Sequence, residues 1–126
     1  MDKVTWFELP ADDTARASSF YSSVFGWDMN DMGGGSIMAT SGPSGEDGMP
    51  TEAGSINGDI SPRSSAEGFD KPLIVITVED MDAKIKMVEE AGGSVALAPS
   101  QPEGMDMRWA IVTDTEGNNI GIIQNL

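Results

Sequence analysis

The reactive side chains in this sequence are mostly carboxylates. Histidine and cysteine are both absent, so a Ser-His-Asp triad, a thiol nucleophile, a disulfide and a zinc–thiolate site are all excluded. A metal site would have to be built from oxygen ligands, which favours magnesium, calcium or manganese. Acids are therefore the first candidates for chemistry at a site, and aromatic side chains and methionines are further candidates for ligand contact.

Glu8 is the only ionisable side chain inside the first predicted strand, residues 4–9 (VTWFEL). It is a candidate general base, or a partner for a cationic ligand. Alternation along a strand places Glu8 on the same face as Val4 and Trp6. The alternative interpretation is an ordinary solvent-facing residue on a half-exposed strand.

Tryptophans and methionines are the other candidates for ligand contact. Trp6 and Trp109 lie on predicted strands, where they can line an apolar cup and stack on a flat ligand. Ordinary core packing is the alternative for both, and it is the favoured interpretation for Trp27. Methionine side chains adapt to irregular ligands, although they fill core gaps equally well. The predicted ligand-binding set is Trp6, Glu8, Met38, Met107 and Trp109.

The charge balance limits the class of partner. With 21 acids against 7 bases, the formal net charge is −14. A surface this acidic repels phosphate backbones and anionic membranes, so neither nucleic acid nor a membrane is an expected partner. Two explanations of the charge stay open, namely solubility and adaptation to high salt.

The apolar segments are short and separated. None approaches the ~18 apolar residues that a membrane span needs. The N-terminus has no basic region followed by an apolar stretch, so no signal peptide is predicted. We therefore expect a cytoplasmic protein, and 126 residues fit one domain.

Hydrophobic periodicity predicts two helices, each preceded by a capping aspartate and followed by glycine. The first follows the capping oxygens of Asp12-Asp13-Thr14 and ends before Gly26, and the second follows Asp80 and ends before Gly92-Gly93. Their apolar stripes consist of Ala17, Phe20, Tyr21, Val24 and Phe25, and of Met81, Ile85 and Val88.

Strands surround both predicted helices. Composition predicts them at residues 4–9, 27–29, 36–40, 53–60, 73–78, 94–98, 107–113 and 119–124. The order strand, helix, several strands thus occurs twice, about 67 residues apart. Residues 61–72 (SPRSSAEGFDKP) predict a linker between a first module, 1–60, and a second, 73–126. Neither module alone covers both faces of its sheet, so the two should pair.

Three motifs in order give this arrangement a specific resemblance. The first motif consists of Trp6–Pro10, Phe20-Tyr21 and Phe25-Gly26-Trp27. The second consists of Val78–Asp82 and Ala91-Gly92-Gly93. The third is Asp114–Asn118 (DTEGN), which is similar to a D-P-x-G-N turn with threonine in place of proline. The chain resembles the vicinal-oxygen-chelate superfamily of glyoxalases, bleomycin-resistance proteins and extradiol dioxygenases over nearly its whole length. The resemblance implies an α+β fold of two βαβββ modules that pair their curved mixed sheets.

The same resemblance implies a metal centre that this sequence does not complete. Metal-dependent members hold a divalent ion that acts as a Lewis acid on the substrate's adjacent oxygens, with His, Gln or Glu ligands. The corresponding positions here fall at Val4 to Trp6, at Leu73 and at Gly121, and none of these residues chelates well. Near a fourth position the options are Glu52 and, more weakly, Asn57 and Asp59. We therefore expect neither a metal nor another cofactor.

Three functions from different classes stay open. The first is a metal-independent protein of the glyoxalase/bleomycin-resistance type that holds an aromatic or cationic small molecule in the cup of the sheet. The second is an enzyme, lyase or dioxygenase-like, that is metal-free or has a degenerate, oxygen-only site around Glu8 and Glu52, with Glu8 as the catalytic candidate. The third is a non-catalytic interaction or regulatory scaffold. The resemblance also implies that two chains can pair as a homodimer.

Overall fold

A computed structural model describes all of residues 1–126. The chain forms eight β-strands and two α-helices. The strands are β1 (Lys3–Ala11), β2 (Asp28–Gly33), β3 (Ser36–Thr40), β4 (Asn57–Pro62), β5 (Leu73–Thr77), β6 (Ser94–Ser100), β7 (Met107–Thr113) and β8 (Asn119–Asn125). The helices are α1 (Thr14–Phe25) and α2 (Met81–Glu90). A short 3-10 turn, Ser65–Glu67, lies between β4 and β5.

The residues divide into two compact units. The first unit contains residues 6–64 and 70–72, and the second unit contains residues 1–5, 65–69 and 73–126. Each unit combines one helix with strands of a mixed sheet. This confirms the predicted α+β class and the repeated βαβββ order.

In the first unit the strand order is β2-β3-β4-β1. The β2–β3 and β3–β4 pairs are antiparallel, and the β4–β1 pair is parallel. The ring of Tyr21, on α1, stacks on Trp27 with centroids 5.1 Å apart, and Trp27 contacts Phe7 at 5.3 Å. Gly58 on β4 is paired with Phe7 on β1. It leaves the space that the Phe7 ring needs, since a Cβ at position 58 would overlap that ring. Helix α1 therefore covers the sheet face that carries Phe7.

Helix α1 has the ends that its sequence predicts. The Asp13 side chain accepts a hydrogen bond of 3.0 Å from the backbone N–H of Arg16. Gly26 ends the helix in the left-handed conformation, with φ +73°, which glycine adopts without strain. The predicted apolar stripe is only partly covered, because Phe20, Val24 and Phe25 are exposed.

In the second unit the strand order is β5-β8-β7-β6. The β5–β8 pair is parallel, and β8–β7 and β7–β6 are antiparallel. Asp80 caps α2 as predicted, since its side chain accepts a 3.0 Å hydrogen bond from the backbone N–H of Ala83. The core between α2 and the sheet buries Val78, Met81, Ala110, Val112 and Ile122.

The turn between β7 and β8 forms around Asp114. Its carboxylate accepts hydrogen bonds from the backbone N–H groups of Glu116 and Asn118, at 2.8 and 2.9 Å. The bonds from Asn118 and Glu116 hold the pKa of Asp114 below its usual value. Threonine at position 115 is thus compatible with the turn that the DTEGN motif predicts.

Several local predictions differ from the structure. The strands predicted at residues 27–29 and 53–60 are observed at Asp28–Gly33 and Asn57–Pro62. Pro10 does not end the first strand, since β1 continues to Ala11 with Pro10 paired with Ser61. Proline is tolerated near strand ends, where its missing N–H is least needed. The segment predicted as a linker, residues 61–72, is also partly structured, because Ser61 and Pro62 belong to β4 and Phe69 is buried.

Neither helix is long and apolar enough to cross a membrane.

Candidate functional site

One face of the first unit's strands, opposite α1, is lined mainly by polar side chains. We call it the polar face. Residues paired across neighbouring strands project from the same side of a sheet. In one row Glu8 pairs with Asp59, and Asp59 pairs with Met38. The positions on this face are Asp28, Asn30, Ser36, Met38, Thr40, Asn57, Asp59, Ser61, Trp6, Glu8 and Pro10.

Asp59 is the most perturbed acid on the polar face. Partial burial raises its pKa from 3.8 to about 6, because removal from water penalises the charged form. Hydrogen bonds from the Ser61 hydroxyl, at 3.2 Å, and from the Trp6 side chain oppose part of this rise in pKa. The carboxyl group therefore changes protonation near neutral pH, and it does so next to Glu8.

Asn57 holds the loop that borders the polar face, residues 41–50. It is fully buried. Its side-chain oxygen accepts from the N–H of Ser41 at 3.0 Å, and its amide donates to Ser44 Oγ at 2.8 Å and to the Gly48 carbonyl at 3.0 Å. A Cβ on Gly48 would lie 3.2 Å from the Met38 methyl, so the loop also packs close to Met38.

The corresponding face of the second unit, opposite α2, is apolar. Leu73 and Ile111 are buried there together with Phe69, and Leu97 and Trp109 pack against them. We call the four residues that surround the Phe69 ring, Leu73, Leu97, Trp109 and Ile111, the apolar pocket.

The predicted ligand-binding residues fall into two groups. Trp6, Glu8 and Met38 lie on the polar face of the first unit, where all three are partly buried. Met107 and Trp109 lie on β7 of the second unit, on the same side of that strand.

The positions that the family resemblance assigns to metal ligands do not fit a metal. Leu73 is buried in the apolar pocket. A Cβ at Gly121 would lie 2.8 Å from Cζ3 of Trp109 and closer still to Cη2, so the indole takes the space of a ligand side chain there. Val4 is 42% exposed and offers no donor atom. Glu52 is exposed in the loop before β4, and no three acidic side chains are placed to share an ion.

Two βαβββ repeats, each with one helix and mixed-sheet strands, are the elements of the glyoxalase-type α+β fold. The chain belongs to the glyoxalase/bleomycin resistance protein/dioxygenase superfamily, whose family model matches residues 3–122.

Individual relatives agree with this assignment. The chain is 30% identical over 125 residues to the putative glyoxylase CFP32 of Mycobacterium bovis, matching 94% of this chain and 44% of that protein. It therefore spans less than half the length of that relative. It is also 30% identical to a glyoxylase-like domain-containing protein of Didymella fabae, over 95% of this chain and 91% of that protein.

A solved structure shows the same fold at low sequence identity. It is a glyoxalase/bleomycin resistance protein/dioxygenase superfamily member from Vibrio splendidus, with a TM-score of 0.64, 16% identity and full coverage of both chains. At this identity the likeness concerns the fold alone.

Two residues of these sites have only weak signals in the sequence. Asp59 is only a weak option for a metal ligand by its position. Its pairing with Glu8 depends on β4 lying parallel to β1, which no local pattern reveals. Phe69 is the one large apolar residue in a polar segment, so periodicity gives no signal for its burial. The isolated phenylalanine in residues 61–72 was the only available hint.

Proposed function

We propose that this chain is a metal-independent small-molecule-binding protein of the glyoxalase/bleomycin-resistance type. The ligand binds on the polar face of the first unit, where Glu8 and Asp59 receive a cationic or hydrogen-bond-donating group. Trp6 and Met38 contact the flat or apolar part of the same ligand.

The pairing of Glu8 with Asp59 across β1 and β4 carries this proposal. Two carboxyl groups in one row offer several acceptor oxygens at a spacing of one strand, ~4.8 Å. Trp6 adds an aromatic surface beside them, because it lies two residues before Glu8 on β1 and pairs with Asn57, two residues before Asp59 on β4. An aromatic cation satisfies both features, through charge-assisted hydrogen bonds and ring contact.

The charge of the polar face supports the same class of ligand. The acids among its residues are Glu8, Asp28 and Asp59, and none of its positions is occupied by lysine or arginine. Arg63, on the same unit, is engaged by Asp12 through a 2.9 Å ion pair. A cation bound on this face therefore competes with no side chain of the face itself, whereas an anion is repelled.

Binding of planar cations tests the proposal. We expect proflavine, a planar cation, to bind at pH 7.5 more tightly than acridine, its uncharged relative, as measured by calorimetry. E8Q and D59N should each weaken proflavine binding by about 10- to 100-fold, the value of a charge-assisted hydrogen bond. E46Q is the matched control, since it removes an acid from the exposed part of loop 41–50.

Three results count against the proposal. Equal losses in E46Q and D59N indicate general attraction to an acidic protein rather than a site. Loss of binding after EDTA treatment contradicts metal independence, as does stoichiometric manganese, nickel, zinc or iron in the purified protein. If no member of a wider panel of aromatic and cationic compounds binds, the proposed class of ligand is wrong.

A metal-free enzyme is the second candidate, and the pKa of Asp59 near 6 favours it. A carboxyl group that titrates close to neutral pH is suited to accept and return a proton. NMR in D2O tests this by following deuterium exchange at carbon atoms next to a substrate carbonyl. Exchange above the background rate that D59N abolishes and E46Q leaves intact supports an enzyme. Exchange that D59N leaves unchanged excludes Asp59 as its base.

A further inference from the structure

Phe69 is the single buried residue in an otherwise surface-lying segment. From Pro62 to Pro72 every other residue is exposed or only partly buried. Phe69 itself is 9% exposed. The four residues of the apolar pocket lie on strands β5, β6 and β7. Phe69 therefore enters the pocket from a segment that contributes little else to the core.

The segment lies against the sheet at Gly68. The Gly68 carbonyl accepts a 2.9 Å hydrogen bond from the side-chain amide of Asn119. The Asn119 amide is oriented in turn by the Thr113 hydroxyl, which donates to its oxygen at 2.8 Å. A Cβ on Gly68 would lie 3.0 Å from both Ala96 Cβ and Asn119 Nδ2, and φ at Gly68 is +81°. Both the close approach and the backbone conformation require glycine here.

The pocket below Phe69 has the composition of a ligand site for an apolar ring. Its walls are Leu73, Leu97, Trp109 and Ile111. An enclosed cavity lined by such groups stays free of water and takes an aromatic molecule of matching size. The phenyl ring of Phe69 now fills it, held by a segment whose displacement would uncover few other buried groups.

We propose that Phe69 is a displaceable occupant of the apolar pocket, and that the pocket binds a benzene- to indole-sized apolar ring when residues 65–69 move away. In the closed form the protein occupies its own site. The apparent affinity for a ligand then equals the intrinsic affinity multiplied by the fraction of molecules that are open. Changes that strain the segment without altering the pocket walls should therefore tighten binding.

Gly68→Ala provides that change. An L-residue at this positive φ strains the closed segment, so we expect G68A to bind indole about tenfold more tightly than the wild type. Gly104→Ala is the matched control, since Gly104 also has positive φ, at +78°, but has open space around the added Cβ. G104A should bind indole like the wild type. Titration followed by 19F NMR of 5-fluoroindole measures all three affinities.

Two further measurements decide between a displaceable and a fixed Phe69. F69A should bind indole most tightly, because the occupant is removed. In the wild type, saturating indole should speed hydrogen exchange of the amides in residues 65–69. If F69A does not fold, N119A replaces it, since losing the bond to Gly68 should also tighten binding. The proposal is overturned if F69A binds indole while neither G68A nor the wild type does. It is also overturned if indole leaves the hydrogen exchange of residues 65–69 unchanged.

Discussion

Glu8 on β1 and Asp59 on β4 are paired residues of two parallel strands, so their carboxyl groups project side by side from one face of the first unit. Asp59 is the one of the two whose environment shifts its pKa upward, to about 6. The upward direction means that the folded protein favours the neutral form of Asp59. Protonation of Asp59 is therefore linked to the free energy of unfolding, and the proposed binding of a cation should depend on it as well.

Asp59 should make the folded state less stable as pH rises from about 4 to about 6. In that window the unfolded chain has already released the Asp59 proton and the folded chain has not, so the free energy of unfolding falls with pH. A rise in pKa from 3.8 to about 6 corresponds to at most ~3 kcal/mol. Urea unfolding of the wild type and D59N can be measured between pH 4 and 7. The free energy of unfolding of D59N, relative to that of the wild type, should rise up to about pH 6 and then stay constant.

The comparison with E46Q separates this linkage from general charge repulsion. E46Q removes an acid from the same unit at an exposed position. If E46Q and D59N follow the same curve against pH, the effect belongs to net charge. A flat difference between D59N and wild type over the whole range contradicts the raised pKa of Asp59.

Replacement of Asn57 should release the loop of residues 41–50. Asn57→Ala removes three hydrogen bonds and leaves the Gly48 carbonyl and the Ser41 N–H without their partner. We expect a loss of about 2–4 kcal/mol in the free energy of unfolding. Asn57→Asp should keep the bond from Ser41 but place a carboxylate against the Gly48 carbonyl. Hydrogen exchange should then be faster near Gly48 than at Ser41, while equal protection at both sites counts against this account.

Positions 109 and 121 should be energetically coupled. Gly121→Ala forces a Cβ against the indole of Trp109 and within 3.1 Å of Val75 Cγ2, so overpacking should cost about 1–3 kcal/mol. In a W109L background the ring is gone, and the same substitution at 121 should cost much less. A double-mutant cycle by chemical denaturation measures the coupling, and additive effects would show that the sheet relaxes instead.

Added salt should stabilise the protein. The chain has 21 acids and 7 bases, and three ion pairs join Arg63 to Asp12, Lys84 to Asp2 and Arg108 to Asp82. Screening at molar KCl weakens repulsion among the remaining acids more than it weakens these exposed pairs. Thermal unfolding from 0.05 to 2 M KCl should show a rising midpoint. A midpoint that stays constant or falls excludes repulsion as a significant term.

The fold could be predicted from sequence largely because its signals are local. Asp13, Gly26 and Asp80 mark the ends of helices by capping chemistry that needs only neighbouring backbone groups. The strand at residues 107–113 was predicted with its exact bounds, since its apolar and β-branched composition ends sharply at Asp114. Such features need no knowledge of the rest of the chain.

The candidate site was harder to predict because it depends on pairing between distant segments. Glu8 and Trp6 were recognised from their strand, but Asp59 joins them only through the register of β1 with β4. Asn57 was considered as a ligand from its position, whereas its buried hydrogen bonds give it a role in holding a loop. Phe69 has no periodic neighbours, so only the packed structure reveals where its ring lies.

The contact between Trp109 and position 121 restricts how this sequence can change. A single substitution that introduces a larger side chain at position 121 meets the indole, and one that shrinks Trp109 first opens a hole beside Leu73 and Ile111. Either order passes through a less stable intermediate protein. Each residue of the pair thus preserves the other, so a larger side chain at position 121 requires a coordinated change at Trp109.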